Sequence, residues 1–285
     1  MIDLHTHTTE SDGSLSPDEL VVAARDAGLE ALAIADHDTL AGYDRARPLA
    51  LELGLDLVCA VEISTQFART AGGRRHSAHL LAYFPLEPPG EEFRQWLREL
   101  QQRRQRRNER LAQRLQELGL EVTLDEAVAL ARKLTGRVHF ARVMVQKGYV
   151  GSIREAFWLY LGEGGKAYTP LDKVSLQEAA ARVRAEGGVP CLAHPGRLKW
   201  DVAEALGELC AAGLMGLEVY SSEHGPAQTA LFLEMARAYG LVATGGSDFH
   251  GDGKPGVSLG TGLNANLAVP RSVLDELCAA AVCGR

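Results

Sequence analysis

The sequence predicts an α/β protein in which seven buried strands alternate with helices, and three observations carry that expectation. Short apolar runs such as Ala31-Leu32-Ala33-Ile34-Ala35 and Leu57-Val58-Cys59-Ala60-Val61 read as strands buried on both faces. Between them lie segments of helical length that stop at glycines, among them Gly28, Gly54 and Gly187-Gly188. Residues able to bind metal recur where the apolar runs end, the rim at which α/β barrels place their active sites. Parallel strands with crossover helices give either a barrel or an open doubly wound sheet. No Gly-x-Gly-x-x-Gly follows the first strand and no Walker loop is present, so a nucleotide-cofactor sheet is disfavoured.

In chain order, Ile2 and Leu4 alternate with Asp3 and His5, a period of two. His5 and His7 therefore project from one face of the first strand, with Asp12 on the loop beyond. Ser16-Pro17-Asp18-Glu19 starts a helix, Ser16 as N-cap and Pro17 in the first position, which runs to about Ala27. The run at 31–35 ends in Asp36-His37-Asp38. A helix over roughly 40–53 leads to the strand 57–61, which ends in Glu62. A Gly/Arg-rich turn at 72–75 precedes a fourth strand, Ala78-His79-Leu80-Leu81-Ala82-Tyr83.

From Pro85 to about Pro170 the alternation gives way to a helical, arginine-rich insertion. Its 94–114 stretch holds eight arginines against two glutamates, which fits an RNA track or, the reading we prefer, the solvated face of a long helix. Alternation then returns, with helices at 175–186, 201–212, 226–239 and 270–282. Strands at 189–193, 216–220 and 241–244 lie between them. The fifth of the seven strands ends in His194, and the seventh leads to Asp248 and His250.

Composition narrows the function. A net charge of −7 argues against a protein that coats duplex DNA by neutralising phosphates, yet leaves a phosphate substrate open. No apolar run is long enough for a membrane span, and no signal peptide is visible. The five cysteines, odd in number and without a Cys-x-x-Cys pair, fit reduced thiols and a cytoplasmic location. Nine candidate ligands (His5, His7, Asp12, His37, Glu62, His79, His194, Asp248, His250) exceed the four of a structural zinc and imply two or three metals. A carboxylate such as Glu62 could bridge a pair.

His-Thr-His at 5–7, Asp12, Asp-His-Asp at 36–38, Glu62, His79, Ala-His-Pro at 193–195 and Ser-Asp-Phe-His at 247–250 together resemble the PHP (polymerase and histidinol phosphatase) family over essentially the whole chain. The resemblance implies a distorted seven-stranded (β/α) barrel, residues 1–84 and 171–285, with a helical cap at 85–170. It also implies a trinuclear site of divalent metals, manganese ahead of iron or zinc. One metal would take His5, His7, Glu62 and Asp248, a second Glu62, His79 and His194, and a third Asp12, His37 and His250. Gly-Arg-Val-His-Phe-Ala-Arg at 136–142 and Gly-Glu-Gly-Gly-Lys at 162–166 are similar to the cap of one subgroup. Its members are phosphatases of nucleoside 3′,5′-bisphosphates and 5′-to-3′ exonucleases on short 5′-phosphorylated RNA.

That likeness implies metal-assisted hydrolysis of a phosphate ester in a nucleotide or an RNA end, with no duplex DNA and no membrane as partner. Arg142 and Lys166, with Arg137 and His139, would hold the phosphate that does not react. Asp248 and His224 would be catalytic, His224 touching phosphate or acting as acid toward the leaving oxygen. The small-Pro that usually follows the cap lysine is absent at Ala167-Tyr168. Asp3, Asp36, Asp38 and Glu218 are expected to be buried carboxylates, either inside the barrel or behind metal-bound imidazoles, which usually donate their other N–H to such groups. The alternatives are histidinol-phosphate hydrolysis or another small-molecule phosphatase, an amidohydrolase, and a non-catalytic nucleic-acid-binding module. A bridging lysine at the third strand end would favour the amidohydrolase, but that place holds Glu62.

Overall fold

A computed structural model describes residues 1–68, 73, 75–131 and 133–283, so residues 72 and 74 of the expected turn lie outside the described residues. The chain runs β1 (Ile2–Thr6), α1 (Pro17–Asp26), β2 (Ala31–Ile34), α2 (Ala41–Leu53), β3 (Asp56–Phe67) and β4 (His76–Phe84). Four helices follow, α3 (Glu91–Glu117), α4 (Leu124–Leu130), α5 (Arg137–Gln146) and α6 (Ile153–Ala156), the last continuing into a π-helical turn, Phe157–Leu161. Then come β5 (Val174–Ser175), α7 (Leu176–Ala185), β6 (Val189–Leu192), α8 (Val202–Ala211), β7 (Gly216–Ser221), α9 (Pro226–Ala238) and β8 (Val242–Gly246). A small hairpin, β9 (Val257–Ser258) with β10 (Gly262–Leu263), and α10 (Ser272–Cys283) complete the described chain.

Local chemistry accounts for the helix boundaries. Ser16 and Glu19 form a reciprocal capping box at α1, each side chain accepting the other's backbone N–H, with Pro17 in the first turn. Gly54 ends α2 with φ of 67°, a left-handed cap that glycine adopts without strain.

The seven long strands are hydrogen-bonded in the order β1-β2-β3-β4-β6-β7-β8, and all neighbours are parallel except β4, which is antiparallel to both of its own. The ring nearly closes: the Asp248 N–H donates to His5 O (2.8 Å) and the His7 N–H to Phe249 O (2.9 Å). All seven expected strands are present, but a helix does not separate β3 from β4. Instead β3 continues past Glu62, where Ile63, Thr65 and Phe67 alternate with Ser64 and Gln66, and pairs with β4 from Cys59–Phe84 out to Phe67–His76. Because β4 runs backwards, its N-terminal half, carrying His79, lies at the same rim as the C-terminal ends of the parallel strands.

Ile2, Leu4, Ala31, Ala33, Ala60, Leu81 and Tyr83 share an interior core with Val273, Leu274 and Leu277 of α10. The first half of α3 joins the core outside the barrel through Phe93, Trp96, Leu97 and Leu100. Its second half joins a separate cluster with Leu111, Leu115, Phe140, Met144 and Leu161. One continuous helix of 27 residues, about 40 Å long, thus links the two.

Candidate metal centre

The opening strand brings two imidazoles together, His5 Nε2 lying 3.2 Å from His7 Nε2. Glu62 reaches into the same space from β3. Its Oε1 lies 2.7 Å from His79 Nδ1 and 2.9 Å from His194 Nε2, and its Oε2 lies 3.2 Å from His7 Nε2 and 3.1 Å from His37 Nδ1. Asp248 Oδ1 is 3.4 Å from His7 Nε2 and 3.6 Å from His5 Nε2. Asp12 faces His250 Nε2 at 3.3 Å and His37 Nε2 at 3.7 Å. All nine positions singled out in the sequence therefore converge. Three overlapping groups in them suit a metal: His7 with Asp12, His37 and His250; His5 with His7 and Glu62; His37 with Glu62 and His79.

Backbone strain concentrates here. Asp38, His194 and Asp248 have φ of 52°, 29° and 55°, left-handed values that side-chain-bearing residues avoid. Buried carboxylates hold these turns in place. Glu218, at 0% exposure, accepts from His5 Nδ1 (2.8 Å) and from the His194 N–H (2.5 Å), which leaves His5 Nε2 as the nitrogen facing the cluster. Asp3, Asp36 and Asp38 are buried, as expected of carboxylates inside the barrel, but accept from groups other than the imidazole rings. Asp3 accepts from Ser247 and Gly260, Asp36 from Thr8 and Ser11, and Asp38 from Arg104 and the Ser64 N–H. They fix loops and leave the imidazoles alone.

Burial opposes ionisation of Glu62, Asp12 and Asp248. The facing imidazoles, with Lys254 beside Asp248, nonetheless hold all three well below the usual carboxylate range. Burial also opposes protonation of His5 and His7, but Glu218, Asp248 and Glu62 lift His5 well above its ordinary value, and Asp248 and Glu62 lift His7 to about 10. Burial prevails at His79, pushed down to about 3, and lowers His37 as well. The cluster thus demands positive charge at its centre. Six imidazoles and three carboxylates form a mixed nitrogen and oxygen donor set that suits manganese, iron or zinc. The buried Nδ1 of His194 lacks a hydrogen-bond partner among the described residues, and that of His37, although 3.1 Å from Glu62 Oε2, is not aligned for a hydrogen bond to it. The donor set fits divalent cations.

Beside the cluster opens a cavity of about 840 Å³. Asp12, His37, His79 and His194 line one part of it, and Arg104, Arg107, Arg110, Arg137, Tyr168 and Lys173 another. Arg104 donates to Asp38 and to Ser64 Oγ (2.8 Å). Arg107, 3% exposed, donates Nε–H to Asn108 Oδ1 (3.0 Å) and has no carboxylate within ion-pair distance among the described residues. The solvated-face reading of 94–114 is therefore corrected for these two arginines, which are buried. They occupy the helix stripe of Leu97, Leu100, Leu111 and Leu115, so the periodicity of three and four was itself the signal that they point inward. Lys173, lowered to about 7 by burial and by Arg137 and Arg104, donates to Ser77. Two further cations went unnoticed in the sequence. Arg197 (3.2 Å) and Lys254 both bind Asp248 Oδ2, and both also bind Glu223. Arg197 stands three residues after His194, the cue that could have found it.

The expected phosphate contacts divide. Arg137 lines the cavity, donates to Leu161 O (3.2 Å) and stacks over Phe157. Arg142 packs beside the 250–253 turn, where a Cβ on Gly253 would meet its Nη2 at 3.2 Å. His139 is 2% exposed, accepts the Gly136 N–H and is pushed down to about 4 by burial, so it caps α5 as a neutral ring and is no cation for phosphate. Lys166 is exposed with its ammonium over the Tyr160 ring and lies outside the cavity lining. His224 is also corrected. Nδ1 is 2.9 Å from Val219 O, and Nε2 accepts the Gly196 N–H at 3.3 Å, so the buried ring braces the 194–197 turn and keeps no nitrogen free for a leaving oxygen.

No helix of the described residues is long and apolar enough to cross a membrane. The sequence profile of the PHP domain matches residues 3–161. A 5′-3′ exoribonuclease of Haemophilus influenzae is 35% identical, the match covering 87% of this chain and 89% of that protein. A 3′,5′-nucleoside bisphosphate phosphatase of Chromobacterium violaceum is 31% identical over 91% and 90%, and a phosphoribosyl 1,2-cyclic phosphate 1,2-diphosphodiesterase of Eggerthella lenta 34% identical over 87% and 94%. A Bifidobacterium adolescentis protein described as a metal-dependent phosphoesterase superposes with a TM-score of 0.84 at 34% identity, covering 98% of this chain and 96% of that one. The chain belongs to the PHP domain family.

Proposed function

We propose that the chain is a metal-dependent phosphoesterase for a small substrate bearing two phosphates. The best candidates are the 3′-phosphate ester of a nucleoside 3′,5′-bisphosphate and the 5′-phosphorylated end of a short RNA. The observation that carries this reading is Arg107, a buried guanidinium with no carboxylate partner among the described residues, in a cavity that also touches the ligand cluster. An uncompensated buried cation is costly, and an anionic ligand would offset that cost. A monophosphate held at the cluster would leave Arg107 unused.

In this reading 1–84 and 171–285 form the metal-binding barrel and 85–170 the cap that supplies the second anion site. Two or three divalent ions, manganese first, would be held by His5, His7, Glu62 and Asp248, by Glu62, His79 and His194, and by Asp12, His37 and His250. Bound ions supply charge that lowers the pKa of water and neutralises phosphoryl oxygens. The chain's own groups do the rest. Glu218 fixes the His5 tautomer, and Glu62 spans the cluster from both of its oxygens. Arg104, Arg107 and Arg137 orient the remote phosphate, so the reacting ester is positioned by charge it does not consume. Arg142, whose Nη2 lies near Gly253 as His250 does, would be a further cation for the substrate.

Turnover of a nucleoside 3′,5′-bisphosphate against a 3′-monophosphate tests the reading. Arg107→Ala should cost about ten- to a hundredfold in kcat/KM on the bisphosphate, the value of a charge-assisted hydrogen bond. It should cost far less on the monophosphate. Equal losses would remove the second-phosphate assignment. The 1,2-cyclic phosphate activity named for the Eggerthella lenta relative is the second substrate to assay, because that protein is as similar to this chain as the others.

A further inference from the structure

The arginine row of α3 does not stop at the cavity. Arg107, Arg110 and Arg114 are spaced three and four residues apart, so they share one flank of the helix and advance about 10 Å along its axis. The first two line the cavity, while Arg110 and Arg114 are exposed. None of the three makes an ion pair among the described residues, although Arg94, Arg98, Arg103 and Arg104 on the same helix all do.

The far end of the row meets the π-helical turn. Arg114 Nε–H donates to Lys166 O (3.1 Å), and the Lys166 N–H donates to Leu159 O (3.0 Å). That turn is unusually aromatic: Phe157 lines the cavity, Tyr160 lies under the Lys166 ammonium, and Trp158 is 78% exposed. A row of cations outside ion pairs, with one open indole beside it, is the composition with which proteins follow single-stranded nucleic acid, cations on the backbone and rings on the bases.

We infer that this flank of α3, with Trp158, is a track for the downstream nucleotides of a single-stranded RNA whose 5′ end occupies the cavity. The inference rests on the phosphoesterase reading above and extends its substrate beyond one nucleotide. It adds no chemical step.

Binding without turnover tests it. The probes are a short 5′-phosphorylated single-stranded RNA labelled at its 3′ end and a nucleoside 3′,5′-bisphosphate, both titrated in excess chelator. Each lost phosphate contact on a single strand removes about 0.7 from the slope of log affinity against log salt. The Arg110→Glu, Arg114→Glu pair should therefore flatten the slope by about 1.4 and weaken RNA binding about 25-fold at about 0.1 M salt. Trp158→Ala should weaken RNA binding at all salt concentrations. The bisphosphate should bind Arg114→Glu and Trp158→Ala as it binds wild type and should lose less than the RNA does to the double variant, because Arg110 lines the cavity; Arg237→Glu, an exposed arginine on α9, should leave both ligands unchanged. A double variant that weakens RNA no more than Arg237→Glu does, or weakens the bisphosphate equally, would overturn the track. Failure of wild type to bind the RNA would do so too. Wild type that binds RNA along these residues but hydrolyses neither compound with manganese would sink the proposed function and spare the track.

Discussion

Replacing Arg104 should cost more than replacing any other arginine of α3. Its guanidinium, 8% exposed, donates to Asp38 and to Ser64 Oγ, and Gln101 on the same helix donates to Asp38 O (2.8 Å). Asp38 is 1% exposed and would keep only the Ser64 N–H (2.8 Å) as a side-chain partner. Breaking a buried ion pair by removing one member costs about 3–5 kcal/mol, because the other charge stays buried. At these exposures solvent screening gives little relief. With about 2–4 °C per kcal/mol for a chain of this size class, Arg104→Ala should lower the apparent Tm by roughly 6–20 °C. The double variant Arg104→Ala, Asp38→Asn should recover a good part of that loss, since the stranded charge is gone. Denaturant titration of the four proteins closes the cycle. Asp38 follows His37, so metal content of Arg104→Ala, measured by plasma emission, should fall as well. An Arg104→Ala protein within about 1 kcal/mol of wild type would refute the view of α3 as the clamp on this loop.

Glu62→Ala should lose more metal than Asp12→Ala or His37→Ala, because Glu62 faces five imidazoles while Asp12 lies toward one side of the cluster; emission spectrometry on the three variants decides it. Glu218→Gln should weaken metal binding about ten- to a hundredfold through the His5 ring, read by competition with a chelating dye. Sulfate affinity in metal-free protein should fall as pH rises through about 7, where Lys173 loses its proton, and Lys173→Arg should flatten that dependence. The sign for stability is opposite. Above about 7 and up to the ordinary lysine range the unfolded chain carries a proton that folded Lys173 lacks, so this group favours folding increasingly with pH.

The metal-type cluster was legible because its members, His79 apart, close or follow an apolar run, and such runs mark strands with little ambiguity. The direction of β4 was not, since an apolar hexapeptide has no arrow. Only the continuation of β3 through Ile63, Thr65 and Phe67 hinted that a hairpin was coming. Buried cations were the other blind spot. Arg104 and Arg107 sit at apolar-stripe positions, but an arginine count reads as a wet surface unless each residue is placed on the helical wheel. His224 misled for the opposite reason: a histidine at a catalytic rim looks like chemistry, while its two ring nitrogens are both spent on backbone groups.

The seam where β1 meets the end of β8 sets an order of events during synthesis. His5 leans on Glu218, and His7 faces Asp248, more than two hundred residues later in the chain. Asp3, two residues before His5, accepts from Ser247 and Gly260. A ribosome that has made the first half of the protein has delivered most of the imidazoles but not Glu218, Ser247, Asp248 or Gly260, which hold the far edge of the first strand. Contacts of such long sequence separation form late and slowly. The ligand set is thus complete only once the chain beyond Asp248 has been made, so the centre closes at the end of folding and the imidazoles of the first strand wait for it with their ring nitrogens uncommitted.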